Sequence, residues 1–265
     1  MDLRVDGNTA LLTASSSGLG KASARALAAE GANVVLNGRD ADRLDGAVDD
    51  VRADAAGDAS VVGYAADLTD PDAVESLVDR AVEEFGSLDH LVTSAGGPPA
   101  KPFLETTDEE WYEAFDQLVM SVVRTVRAAE PHLRESDRGT IVTIASVSVK
   151  EAVDDLVLSN AVRAGVVGLE KTLSKELAPD VRANAVLPGT HETPRVETLV
   201  EREVEEGTYD SYESGLADWA GAIPVGRIGD PMELGRTVAF LSSPQSAYLS
   251  GVAIPVDGGK SASNL

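Results

Sequence analysis

Short β-branched runs alternate with longer amphipathic stretches from one end of the chain to the other, and that alternation leaves few folds open. Seven runs read as strands, at 9–13, 33–37, 61–65, 90–93, 140–145, 182–187 and 252–256. Helical patterns begin near Gly18, Asp40, Pro71, Asp108, Leu156 and Pro231, several opened by Asp or Pro in starting positions. Runs such as Ile141-Val142-Thr143-Ile144 are continuously apolar, as expected of strands covered on both faces. The pattern predicts one α/β domain over residues 1–265, a doubly wound sheet of about seven parallel strands flanked by helices.

One stretch breaks the alternation. Residues 193–222 are acidic, punctuated by Gly207 and Gly215, and carry Tyr209, Tyr212 and Trp219. Two readings stay open for it, a substrate lid and a solvated pair of acidic helices.

Composition excludes several kinds of chemistry. Without cysteine there are no disulfides, thiolate ligands or cysteine nucleophile, and His90, His132 and His191 are too scattered for metal-ligand spacing, so no metal site is expected. A net charge of −23, from 45 acidic against 22 basic residues, argues against nucleic acid and against an anionic membrane surface. No run of about 18 apolar residues appears, and Met1 to Asp6 has no signal-peptide pattern, so a cytoplasmic protein is expected. The acid is spread over helices, which suggests a high-salt cytoplasm where screening relieves self-repulsion.

The segment Thr13-Ala14-Ser15-Ser16-Ser17-Gly18-Leu19-Gly20 follows the first strand and runs into the first helix. Small residues there let the backbone approach a diphosphate, whose charge the helix N-terminus stabilises. The second strand ends Leu36-Asn37-Gly38-Arg39, with no acidic residue for a ribose 2′-hydroxyl. Arg39 is suited to pair with a 2′-phosphate, which favours NADP over NAD, a solvated loop arginine being the alternative.

Further segments follow in order: Asp67-Leu68, Thr93-Ser94-Ala95-Gly96, Asn184 to Gly189 followed by Thr193, and Val256-Asp257-Gly258-Gly259. Together with the turn, where Ala14 stands in place of a first glycine, they make the chain resemble the short-chain dehydrogenase/reductase family along essentially its whole length. The resemblance implies a Rossmann-type fold. It also implies that Thr13, Ser15, Ser17, Gly18, Leu19 and Gly20 surround the diphosphate, that Asp67 and Leu68 meet the adenine, and that Ala95 and Gly96 pass the ribose. Pro188, Gly189 and Thr193 are then expected to hold the nicotinamide end.

In that family a Tyr, Lys, Ser and Asn carry the proton chemistry. Ser146 keeps the serine position, whereas Ser159 stands at the tyrosine, Arg163 at the lysine and Leu118 at the asparagine. This S-N-x-x-R pattern resembles a subgroup of β-ketoacyl-carrier-protein-reductase-like members. Arg163 is expected to keep a charge at the ribose but cannot relay a proton as lysine does, and serine is a weaker acid than tyrosine. The candidate catalytic set is therefore Ser146, Ser159, Arg163 and Lys150, the last being either a replacement acid or a solvated loop lysine. Two functions follow: an NAD(P)-dependent oxidoreductase acting on a small carbonyl or alcohol, or a nucleotide-binding sensor or partner subunit without turnover. Apolar faces on the fourth and fifth helices suggest a homo-oligomer, a tetramer by family analogy.

Overall fold

The computed structural model describes residues 1–263. Seven parallel strands form one sheet in the order β3-β2-β1-β4-β5-β6-β7. They are β1 (Thr9–Leu12), β2 (Asn33–Gly38), β3 (Val61–Ala65), β4 (His90–Thr93), β5 (Thr140–Ile144), β6 (Arg182–Pro188) and β7 (Ala253–Val256). Each boundary lies within one residue of the expected one.

The side chains of β1 and β2 alternate between two cores. Ala10, Leu12, Val34 and Leu36 join Leu27 of α1 (Gly18–Ala29), Leu44 and Val48 of α2 (Ala41–Asp54), and Leu234 and Val238 of α9 (Pro231–Ser242). Leu11 and Val35 face the other way, toward Leu77 of α3 (Pro71–Phe85), Val122 of α5 (Ser121–Glu135) and Val162 of α6 (Val157–Glu176). This two-residue period with both faces buried explains why the strands read as unbroken apolar runs. His90 lies wholly inside the sheet between Asn8 and Thr140, and burial lowers its pKa to about 4, so it is neutral.

The chain reverses direction of winding at β1, which has β2 on one side and β4 on the other. Crevices open at the carboxyl ends of strands at such a point. Thr13 and Ser94, just past the ends of β1 and β4, lock its two sides together through paired bonds of 2.9 Å.

The segment expected to be one continuous helix from Asp108 is interrupted. α4 (Asp108–Phe115) passes through a π turn, Asp116–Met120, before α5. Hydroxyls help hold the altered backbone there: Ser121 Oγ donates to the Gln117 carbonyl at 2.5 Å and Thr125 Oγ1 to that of Ser121 at 2.7 Å. Residues 193–222 also fold into two helices, α7 (Pro194–Glu205) and α8 (Tyr212–Gly221). Gly215 lets them close, since a Cβ there would stand 2.7 Å from Val200, and Trp219 Nε1 donates to Glu203 at 3.0 Å.

Candidate active site

A cleft of about 1250 Å³ lies over the carboxyl ends of the central strands. The turn leading into α1 forms one wall. Gly20 passes so close to the preceding backbone that a Cβ would meet the Ala14 carbonyl oxygen at 2.7 Å and Ser15 Cα at 2.9 Å. Ser17 occupies the N-cap of α1 without capping it, and no acidic residue stands in the first turn. The first amides of α1 are therefore left without a side-chain acceptor, at the end of the helix where its dipole favours an anion. Ala14, at the position of the expected first glycine, adopts φ 47°, a left-handed conformation that is strained for an L side chain. Its amide donates to Asn37 Oδ1 at 3.1 Å, which fixes the turn against β2.

Of the turn residues expected around a diphosphate, Ser17, Gly18, Leu19 and Gly20 line the cleft. Thr13 and Ser15 do not. Ser15 is fully buried, its Oγ donating to the Leu12 carbonyl at 2.8 Å and accepting from the Asn37 amide at 3.0 Å. These two residues stand behind the turn and hold its shape. Gly189 is likewise withdrawn: its Cα lies against Asp257, where a Cβ would come within 2.8 Å of Asp257 Cα. The glycine there answers to the passage of the chain beyond β7.

At the far end of β2, Arg39 lines the cleft beside Ser16 and Arg43, two residues that the sequence reading did not single out. Ser16 packs onto Gly38, where a Cβ would meet its Oγ at 2.9 Å, so the glycine makes room for a hydroxyl. Asp40, the one carboxylate adjoining Arg39 in sequence, caps α2 by accepting from the Arg43 amide at 2.9 Å. Asp67, Leu68, Ala95 and Gly96 form the wall beyond. Hydrogen bonds from the Thr69 amide and hydroxyl hold the Asp67 carboxyl below its ordinary pKa, with the charge of Arg39 adding to the effect, so it is ionised.

Ile144, Ala145, Arg163 and Pro188 line the cleft farther along, and Thr193 reaches back to the turn, its Cγ2 3.7 Å from where a Gly18 Cβ would stand. Ser159 and Arg163 lie one turn apart on α6, and Arg163 Nε donates to Ser159 Oγ at 3.1 Å while Nη1 donates to the Ala145 carbonyl at 3.3 Å. Burial and the neighbouring Arg195 lower the Arg163 pKa to about 10, which leaves it charged at neutral pH. Asn160 gives Nδ2–H to the Val153 carbonyl at 2.8 Å and accepts from its amide, so the asparagine of S-N-x-x-R clamps the preceding loop to α6. Ser159 is buried behind Arg163. Ser146 caps its own short turn, accepting from the Ser148 amide at 3.1 Å, and neither it nor Lys150 lines the cleft.

The π turn changes what the helix offers. Leu118 is buried in the core, and Gln117 is the residue that reaches the cleft, its Nε2 3.1 Å from where a Gly96 Cβ would stand. Tyr112 and Arg195 also face the cleft, and neither was singled out in the sequence. Among the described residues no group of three or more His, Cys, Asp and Glu side chains is arranged to hold a metal.

Comparison with known proteins matches this architecture. A family model described as enoyl-(acyl carrier protein) reductase matches residues 13–261. The chain belongs to the short-chain dehydrogenase/reductase family. It is 31% identical over 258 residues to the 3-oxoacyl-(acyl-carrier-protein) reductase FabG of Thermotoga maritima, covering 97% of this chain and 99% of that one. It is 35% identical over 254 residues to the short-chain reductase NovJ of Streptomyces niveus, covering 96% and 94%. Among solved structures, L-sorbose reductase from Gluconobacter frateurii complexed with NADPH and L-sorbose superposes with a TM-score of 0.94 at 31% identity, over 99% of this chain and all of that one. Actinorhodin polyketide ketoreductase with NADPH gives 0.90 at 30% identity, over 97% and 98%. By its family this short-chain protein is an NAD(P)-dependent oxidoreductase, and the sensor alternative is not favoured.

Proposed function

We propose that this short-chain protein uses NADPH to reduce the carbonyl of a small molecule, or NADP to oxidise the corresponding alcohol. The observation that carries the reading is the cleft itself, with the tight Gly20 turn and open α1 amides at one end and Arg163 at the other. The cradle fits a dinucleotide: Ser17 to Gly20 would take the diphosphate, Arg39 with Ser16 and Arg43 the 2′-phosphate, and Asp67 and Leu68 the adenine. Ala95 and Gly96 would pass the ribose, and Pro188 and Thr193 the nicotinamide. When bound, the nicotinamide supplies the hydride.

The protein's own part is to orient the carbonyl and place a proton. Arg163 holds positive charge at the reacting end, which favours the charge developing on a carbonyl oxygen. Its bond to Ser159 presents that hydroxyl as the first candidate for the proton path, with Lys150 or a water the others. Ser146 would orient the substrate after releasing its cap. α7 and α8 would act as a lid, for Thr193 and Arg195 at the start of this segment already face the cleft.

The test is a screen of carbonyls and alcohols by NADPH absorbance over a range of KCl concentrations, followed by Ser159→Ala, Lys150→Ala and Arg163→Ala. Turnover is expected, with the largest loss, about 100-fold or more, in Arg163→Ala. An unchanged rate in all three variants would overturn the assignment. The spread of acid on the surface supports a high-salt cytoplasm, so the melting temperature should climb with KCl. Among the described residues no helix is long and apolar enough to cross a membrane. Exposed Phe103, Leu104 and Phe115 beside α4 support a homo-oligomer, a tetramer being the expected result of light scattering.

A further inference from the structure

Acidic residues outnumber basic ones by 45 to 22, yet Arg163 and Arg195 line the cleft without an ion pair among the described residues, although Glu113 and Asp116 line it too. Neither Arg163 nor Arg195 takes part in any salt bridge among the described residues, although six other arginines do. The neighbouring charge that Arg163 feels is the second cation. Arg163 spends Nε on Ser159 and Nη1 on the Ala145 carbonyl, and Nη2 is engaged by neither bond. Arg195 lines the same cleft from the start of α7. Its guanidinium lies across Gly97, where a Cβ would stand 2.7 Å from Nη1, and Nη2 touches the Pro98 carbonyl at 3.5 Å.

Arg195 is exposed and Arg163 half-buried, so solvent screens their mutual repulsion while both guanidinium groups stay open to an anion entering the cleft. Thr193, two residues before Arg195, packs its Cγ2 3.7 Å from where a Gly18 Cβ would stand, so the start of α7 adjoins the α1 turn, whose own backbone amides are open to a diphosphate. Planar guanidinium groups bind carboxylates through paired parallel bonds. A cationic spot in a strongly acidic protein also concentrates field inside the cleft, drawing in an anion that the outer surface repels.

We propose that the carbonyl substrate is an oxo acid whose carboxylate is held between Arg163 and Arg195. This rests on the reductase reading above and narrows it to a substrate class. Arg195 sets specificity, and Arg163 both binds the carboxylate and borders the reacting carbonyl.

The test uses the full chain loaded with NADP at fixed KCl, titrated calorimetrically with 2-oxooctanoate and 4-oxopentanoate and with the methyl ester of each. The wild type is expected to bind at least one acid about tenfold more tightly than its ester, as loss of one charged hydrogen bond implies. Arg195→Ala should bring that ratio to within about threefold of unity, Arg195→Lys should restore part of it, and the Kd for NADPH should shift by less than about threefold. Esters that bind as tightly as both acids would overturn the proposal. So would an Arg195→Ala variant that loses NADPH more than it loses the acid, for Arg195 would then serve the cofactor's phosphates. NADPH consumption measured in parallel separates the two readings. Acid binding without consumption leaves the arginine pair standing and defeats the reductase, whereas consumption with the ester preferred does the reverse.

Discussion

At the β1–α1 turn the wall of the cleft is backbone, with open amides and a glycine pressed within 2.7 Å of a carbonyl oxygen. At the β5–α6 end it is side chain, with Arg163 fixed by Ser159 and by the Ala145 carbonyl. The first wall is specified by where chain can pass, so it survives the exchange of glycine for alanine at position 14 by taking on local strain. The second is specified by which functional groups are present. By the family resemblance, three of the four positions expected to carry proton chemistry hold other residues here, Leu118, Ser159 and Arg163, while the fold is kept. A dinucleotide seat is thus maintained by sterics, while the chemistry above it is free to vary.

The sharpest way to break this comparison is Gly20→Ala. The added methyl would meet the Ala14 and Ser15 backbone and cannot be absorbed by a rotating side chain, so NADPH binding should weaken by about 2 kcal/mol, roughly 30-fold. Titration of intrinsic fluorescence would measure it, and an unchanged Kd would mean that the wall is not steric.

Glu170 probes the support beneath the reacting end. It lies on α6, two turns beyond Arg163, buried and accepting from Thr143 Oγ1 at 2.8 Å. Burial raises its pKa to about 8, against the opposing hydrogen bonds from Thr143 and the Asn184 backbone. Below about pH 4 the folded and unfolded chains both hold the proton. Between there and pH 8 the unfolded chain sheds it while the folded chain keeps it, so stability falls across that window and levels off above it. Glu170→Gln removes the titration. Its unfolding free energy should gain on the wild type as pH rises from about 5 to 8, by on the order of 2 kcal/mol, and a pH-independent difference would contradict a neutral Glu170.

Arg39→Ala should weaken NADPH by about tenfold and leave NADH nearly unaffected, as read from the two dissociation constants. Equal losses for both nucleotides would remove Arg39 from the 2′-phosphate. The smallest effect is expected from Ala14→Gly, which relieves a left-handed residue and should raise stability by about 0.5–1 kcal/mol in thermal unfolding, with NADPH bound slightly more tightly. A loss of stability would show that the turn is not strained at this position.

The strands were legible because burial on both faces writes unbroken apolar runs into the sequence, and each run ended within a residue of its strand. The turn was legible for a related reason: small residues at fixed spacing leave a trace wherever backbone must come close. What the spacing could not convey is which side of the turn a residue occupies. Thr13, Ser15 and Gly189 belong to the same motifs as Gly18 and Thr193 but serve the scaffold behind them. Counting positions from Trp111 puts Leu118 at the family's asparagine, but the count carries no geometry: Leu118 is buried, and Gln117 of the π turn is the neighbour that lines the cleft. Arg195 was hidden in an acidic segment whose fold gives no hint that its first turn points inward. The helix pair there agrees with one of the two readings the sequence left open.

That π turn has a consequence for how the molecule tolerates change. A π turn carries one residue more than the α-helix around it, so α4 and α5 are offset by roughly 100° from the phase of a single straight helix. Deleting one residue between Asp116 and Met120 would restore ordinary winding and swing α4 around its axis while α5 stayed locked to the sheet. Gln117 would leave the cleft, and the exposed aromatic face of Tyr112 and Phe115 would point in a new direction. One inserted residue therefore acts as a rotational joint, coupling the polar lining of the pocket to the orientation of an outer surface.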